Sequence, residues 1–258
     1  MSTIGWSVLL PALLAGLLVA ATHVPLGKQV LARGIVFIDI AIAQIAGVGV
    51  LLADAIGFEP EGIAVQVSAL AAALLGALLL TWTERRWPDV QEAIIGVIFI
   101  LAATAEILLL AGNPHGGEHL KDLLVGQILW VGTRQIVFTA ILTAIVLVVW
   151  FGWHARIGRI GFYLLFGLSV TASVQLVGVY LVFATLIIPA LATRHAQKQP
   201  LLKAYAVAAF GYAVGLSLSA YLDLPSGAVV VWALAAAGTT CFALEGRQNR
   251  RPQAPLLR

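Results

Sequence analysis

The run Ile160-Gly-Phe-Tyr-Leu-Leu-Phe-Gly-Leu-Ser-Val-Thr-Ala-Ser-Val-Gln-Leu-Val-Gly-Val-Tyr-Leu-Val-Phe-Ala-Thr-Leu-Ile-Ile-Pro-Ala-Leu-Ala192 decides the fold. It is 33 residues long and carries no charge. A helix needs roughly 20 apolar residues to cross a hydrocarbon layer of ~30 Å, so this run is too long for one ordinary span. Its middle, Thr171 to Gly178, is polar and ends in glycine. The pattern predicts two short helices, tightly joined or partly re-entrant. Irregular backbone at that depth is tolerable only where protein or a water-filled cavity surrounds it. The stretch is therefore a candidate lining of a pathway.

Working outward, the same criterion predicts spans over Gly5–His23, Gly34–Ala53, Ile63–Trp82, Gln91–Ala111, Arg134–Trp153, Lys203–Tyr221 and Pro225–Leu244. The composition agrees. Of the 258 residues, 61% are hydrophobic and 10% charged, and the mean hydropathy is +0.99. A soluble domain carries about 25% charged residues, so this chain cannot cover a globular surface. The expected fold is all-α, a polytopic membrane bundle of about eight or nine transmembrane helices. Met1 to Trp6 contains no basic residue, unlike the start of a cleaved signal peptide, so the first run reads as a retained span. Cys241 is the single cysteine, which excludes an internal disulfide.

The net charge of +3 suits a membrane orientation signal better than a nucleic-acid surface, because the few basic residues sit between apolar runs. All but Lys121 and Arg134 of the 15 Lys and Arg residues fall in one set of alternate loops and the C-terminal tail. The opposite loops hold Asp54, Glu59, Glu61, Glu118, Asp122 and Asp223. The positive-inside rule then places the tail and the loop Trp153–Ile160 in the cytoplasm. Nine crossings fit best, because a single crossing by Ile160–Ala192 would split the basic clusters between the two sides. The chain divides into a transmembrane domain over 1–246 and a basic cytoplasmic tail over 247–258.

Little in the loops points to an enzyme. There is no G-x-x-x-x-G-K-[ST], G-x-S-x-G, H-E-x-x-H or C-x-x-C pattern. Two carboxylates, Asp39 and Glu106, lie inside apparent spans, where a charge costs at least ~2.5–3.5 kcal/mol and normally faces the protein interior or water. Each reads either as polar lining for a cation route or as an interhelical hydrogen bond, the second reading suiting Glu106. The outer loop Gly112–Asp122 offers His115, Glu118 and His119. Imidazole and carboxylate suit zinc and its neighbours, although Gly116-Gly117 opposes the helix that would align both rings. His23, His154 and His195 read as interfacial residues. Gly211-x-x-x-Gly215 permits two helices to approach closely, within one subunit or between two.

Several stretches resemble the permease subunits of bacterial ABC importers for zinc, manganese and iron(II). The strongest is Val174-Gln-Leu-Val-Gly-Val-Tyr-Leu-Val-Phe-Ala-Thr-Leu-Ile-Ile-Pro-Ala-Leu-Ala-Thr-Arg194, similar to that family's valine-glycine, leucine-rich run and I-I-P-A segment. Ser219-Ala-Tyr-Leu-Asp-Leu-Pro-Ser-Gly227 is similar to its turn before the last helix. Pro25-Leu-Gly27 with Arg33, Ile94-Ile-Gly96 and Leu123-Leu-Val-Gly-Gln-Ile-Leu129 follow in the family's order. The resemblance implies a homodimeric permease that binds no cofactor itself and carries a divalent metal ion, zinc or manganese first. It also implies a cytoplasmic ATP-binding subunit that holds the ATP and an extracytoplasmic metal-binding protein. Asp39 and Gln44 become the candidates for the pathway, and His115, Glu118, His119 and Asp223 those for its outer mouth.

Two departures stand out. The family's second helix carries Gly-Asp-Ala-x-x-His, with Asp and His on one face, whereas this chain has Asp39-Ile-Ala-Ile-Ala-Gln44. Five residues turn a helix by about 500°, which leaves Asp39 and Gln44 about 140° apart. An amide is also a poor sole ligand for zinc. The family's longer cytoplasmic segment, thought to dock on the ATPase, is reduced here to Trp153–Gly161, so Arg156 and Arg159 are the residues nearest an expected contact. They serve either that contact or orientation alone. The rival readings are an ATP-independent secondary transporter or channel, an ABC permease for a larger cargo such as cobalamin or a siderophore, and an intramembrane enzyme.

Overall fold

A computed structural model describes residues 6–59, 62–110, 124, 126–153 and 156–249. His115, Glu118, His119 and His154 lie outside the described residues. Every regular element among those described is helical: α1 (Trp6–Arg33), α2 (Ile38–Ala55), α3 (Ile63–Arg86), α4 (Gln91–Leu110), α5 (Thr133–Trp153), α6 (Arg159–Val177), α7 (Val179–Ala192), α8 (Pro200–Leu222) and α9 (Ser226–Asn249), with 3-10 turns at Pro88–Val90 and Ile128–Trp130. Lipid offers backbone groups no partners, so apolar runs of this length satisfy their own N–H and C=O groups as helices.

Eight of these helices are long and apolar enough to cross a membrane. The exception, α7, has 14 residues, about 21 Å at the rise of an α-helix. It is the second half of the long apolar run, which breaks at Gly178 as the sequence predicts. Gly178 has φ +83°, a left-handed backbone that glycine adopts without a steric penalty. Gly126, at φ +69°, packs against the Val177–Gly178 backbone so closely that an added Cβ would overlap it. The chain entering α5 therefore covers the α6–α7 turn.

The first span runs further than expected. It was predicted to stop at His23, before Pro25, yet α1 continues to Arg33. A proline in a helix removes the hydrogen bond to the carbonyl four residues back, here that of Ala21. The Tyr205 hydroxyl of α8 donates to that carbonyl at 2.8 Å, and the helix continues. His23 is consequently no interfacial residue: it is fully buried, with Nδ1 3.0 Å from the Val19 carbonyl oxygen.

Burial separates inner helices from outer ones. Within their apolar windows α6 and α2 are 67% and 61% buried, against 22% for α4, α5 and α9. α2 packs between α3 and α4, α3 packs on α6, and α1 packs on α7 and α8. The Gly211/Gly215 motif serves this internal packing, with Leu234 and Val230 of α9 lying where side chains at the two glycines would be. Any polar group on the inner faces of α2 or α6 is thus held away from lipid.

Candidate functional site

α2 places its polar side chains on this inner side. Asp39 and Gln44 are both buried, at 1% and 5% exposure, but the structure does not bring them together. Gln44 sits on the cavity described below. Asp39 lies in the first turn of α2, off the cavity lining. There the positive end of the helix dipole favours a carboxylate. Among the described residues neither Asp39 oxygen has a hydrogen-bond partner.

The partner of Gln44 comes from α4. Gln44 Nε2 donates to Glu106 Oε2 at 3.0 Å, across 62 residues of sequence. Glu106 is 1% exposed, so this amide is what compensates a carboxyl taken out of water. The pair borders a cavity of about 10 Å³, which Gly47 of α2, Thr171 and Gln175 of α6 and Val179 of α7 complete. That is close to the space one water needs. Gly47 lies one turn from Gln44, and a Cβ there would overlap Glu106 Oε1. The absent side chain is what admits the carboxyl. Thr171 Oγ1 donates to the Gly167 carbonyl at 2.8 Å, which leaves the hydroxyl oxygen free to accept.

Glu106 is the residue that sequence reasoning undervalued. An interhelical hydrogen bond was expected of it, and it makes one, but its partner is the very residue singled out for the pathway. The only signal available was a charge inside a span. Thr171 and Gln175, from the polar middle of the long run, line the cavity.

The remaining candidates lie elsewhere. Asp223 is exposed and caps α8 in a left-handed conformation, φ +54°; it does not line the cavity. Arg156 is exposed. Arg159 starts α6, with its Nε 3.9 Å from Glu84 Oε2. Among the described residues no three His, Cys, Asp or Glu side chains converge as a metal cage would require.

A bundle with eight helices long and apolar enough to cross a membrane is that of a multi-pass membrane protein. The chain belongs to the ABC 3 transport family, which it matches over residues 6–156 and 152–244. It is thus a multi-pass permease of the bacterial inner membrane. A Chlamydia muridarum protein named "Probable metal transport system membrane protein" is 24% identical, over 96% of this chain and 92% of that protein. The structure of PsaBC from Streptococcus pneumoniae in complex with Fab superposes with a TM-score of 0.77 at 20% identity, covering 95% of this chain and 94% of the other. An inward-facing ABC transporter described as of metal-chelate type gives 0.69 at 17% identity, covering 93% and 85%. At those identities the two solved structures speak for the fold alone.

Proposed function

We infer that this chain is the membrane-spanning permease subunit of an ATP-driven importer of divalent metal ions. It works as a homodimer, with a cytoplasmic subunit that hydrolyses the ATP and an extracytoplasmic protein that delivers the ion. The observation that carries this reading is the buried Gln44–Glu106 pair on the cavity between α2, α4, α6 and α7. The metal-transport name of the Chlamydia relative supports it.

The pair explains how a bare ion is passed rather than kept. In the conformation described, the Gln44 amide N–H occupies the position a cation would take beside Glu106. An arriving ion displaces it, and the amide turns its oxygen inward. The donors are then the Glu106 carboxylate, the Gln44 and Gln175 amide oxygens and the Thr171 hydroxyl. Among the described residues, no histidine, cysteine or methionine lines the cavity. Of zinc and manganese, an all-oxygen set suits manganese, since zinc favours nitrogen and sulfur in tetrahedral sites. Asp39, at the start of α2, and Asp223, His115, Glu118 and His119 as candidates for an outer mouth are further proposed stations on the ion's route. Arg156 and Arg159 face the ATP-binding subunit.

The test is uptake of manganese, zinc and iron(II) into proteoliposomes holding the complete complex, with and without ATP. ATP-dependent uptake that falls at least tenfold in Glu106→Gln, with the complex still assembled, is the expected result. An assembled complex that imports no metal at all would overturn the metal assignment. The permease for a larger, chelated cargo would then lead, in keeping with the metal-chelate type of one structural neighbour.

A further inference from the structure

α4 contributes Glu106 to the cavity but is itself poorly enclosed: its apolar window is 22% buried, against 61% for α2. In lipid no hydrophobic gain presses such a helix onto its neighbour, so close packing and hydrogen bonds set its register. Among the described residues, two side-chain hydrogen bonds join α4 to α2 and its entry turn. One is that of Gln44 to Glu106. The other lies at the start of both helices, where the Phe37 N–H donates to Glu92 Oε1 at 3.2 Å, across 55 residues of sequence. The Val36 N–H is a further donor to the same carboxylate.

This second bond fills a gap in α2. Phe37 is the N-cap of α2 and offers no side-chain cap. In a capping box, a Glu or Gln three residues further on reaches back to the N-cap N–H. Here that position holds Ile40. Glu92 supplies the missing acceptor from another helix. Its neighbour Gln91 donates through Nε2 to the Leu80 carbonyl of α3 at 3.1 Å, so the start of α4 is tied to α3 as well as to α2. A carboxylate in the first turn of α4 also suits that helix's own dipole. The dipole role needs the charge, whereas the bond to Phe37 needs the reach.

We propose that Glu92 is a positioning residue for transport, a clamp that keeps α2 in register with α4 while the Gln44–Glu106 bond opens for the ion. This rests on the importer reading, in which an arriving cation displaces the Gln44 amide. Once that bond is open, the clamp is the one side-chain hydrogen bond left between the two helices among the described residues. Without it α2 shifts against α4, and the Gln44 oxygen no longer converges with the Glu106 carboxylate on one ion. Glu92 does not line the cavity, so it acts only through where it places those donors. What the Phe37 N–H requires is an acceptor oxygen at this distance. A side chain one methylene shorter draws that oxygen out of hydrogen-bond range.

The experiment measures KM and the maximal rate of ATP-driven uptake of manganese(II), and of zinc, by the complete complex in proteoliposomes. Wild type is compared with Glu92→Gln, Glu92→Asp and Glu92→Ala. A variant that merely folds poorly lowers the maximal rate and leaves KM unchanged. Glu92→Gln removes the charge but keeps an acceptor oxygen, and should hold KM within twofold of wild type. Glu92→Asp keeps the charge but loses the reach, and should raise KM at least fivefold, as should Glu92→Ala. An unchanged KM in Glu92→Asp, or an equal rise in Glu92→Gln, would reduce Glu92 to a partner of the α4 dipole or a plain structural contact. Either result would overturn the proposal while leaving the importer intact. A wild-type complex that imports neither ion would instead overturn the importer reading and the clamp with it.

Discussion

Glu106 and Gln44 show how far one side chain's meaning depends on its neighbours. Each alone is an ordinary anomaly in a span: a carboxyl that should be paired and an amide that should be satisfied. Joined, they satisfy each other with little to spare, because Gly47 leaves room for the carboxyl and for nothing more. Gly47→Ala should therefore displace Glu106 and break its bond to Gln44. The expected effect is a stability loss of about 1–3 kcal/mol, typical of an overpacked interior, with uptake falling in parallel; denaturant unfolding in detergent and transport assays check both. The oxygen-only donors make a second demand. Gln44→His adds a nitrogen ligand where the cavity has none, and it should raise zinc uptake relative to manganese about tenfold or more. Competition between the two ions in one assay measures that ratio, and an unchanged ratio would mean Gln44 does not touch the passing ion. Little of this pairing was legible in the sequence. The chain order gives the position of each polar residue, but not that α2 and α4 lie side by side, so a contact across 62 residues had no local trace.

At the scale of the helix, legibility follows whether the deciding chemistry is local. The break at Gly178 was readable because polarity, glycine and excess length all occur within one run. The end of α1 was not. Pro25 is a sound reason to stop a helix, and only a hydroxyl on α8, far along the chain, supplies the donor that lets α1 go on. Tyr205→Phe isolates that contribution. It removes the donor to the Ala21 carbonyl and keeps the ring, so it should cost about 0.5–1.5 kcal/mol, the usual net worth of such a bond. Unfolding of the purified protein in mixed micelles would read the loss. Cysteine-scanning accessibility along residues 24–33 would show whether the last turns of α1 fray. A variant as stable as wild type, with α1 intact, would mean that packing against α7 suffices.

At the scale of the whole molecule, the deciding issue is how often the chain crosses. One crossing by residues 160–192 would send Arg194, Lys198 and Lys203 to the side opposite Arg33, Arg85 and Arg86. The packing argues for two. α6 starts where Arg159 meets Glu84 at the end of α3, and reaches the cavity with Thr171 and Gln175. α7 then begins at Val179 on that cavity and lays its Leu186 carbonyl against Gly27, close to the Arg33 end of α1. It therefore returns toward the side from which α6 came. Being about 21 Å long against a layer of ~30 Å, it leaves the Gly178 turn below the outer surface, which accounts for the cover at Gly126. Lys203 and Glu245 pair across the ends of α8 and α9, so the C-terminal end of α9 shares that side. The expected topology is nine crossings, with the end of α9 and the 247–258 tail in the cytoplasm. A Cys241→Ser background carrying single cysteines tests it with a membrane-impermeant maleimide on spheroplasts. Asp223→Cys should be labelled in intact spheroplasts, whereas Asp89→Cys and Lys198→Cys should react only after permeabilisation. Labelling of Lys198→Cys without permeabilisation would mean that α6 and α7 together cross once, and the sides assigned to α8, α9 and the tail would all reverse.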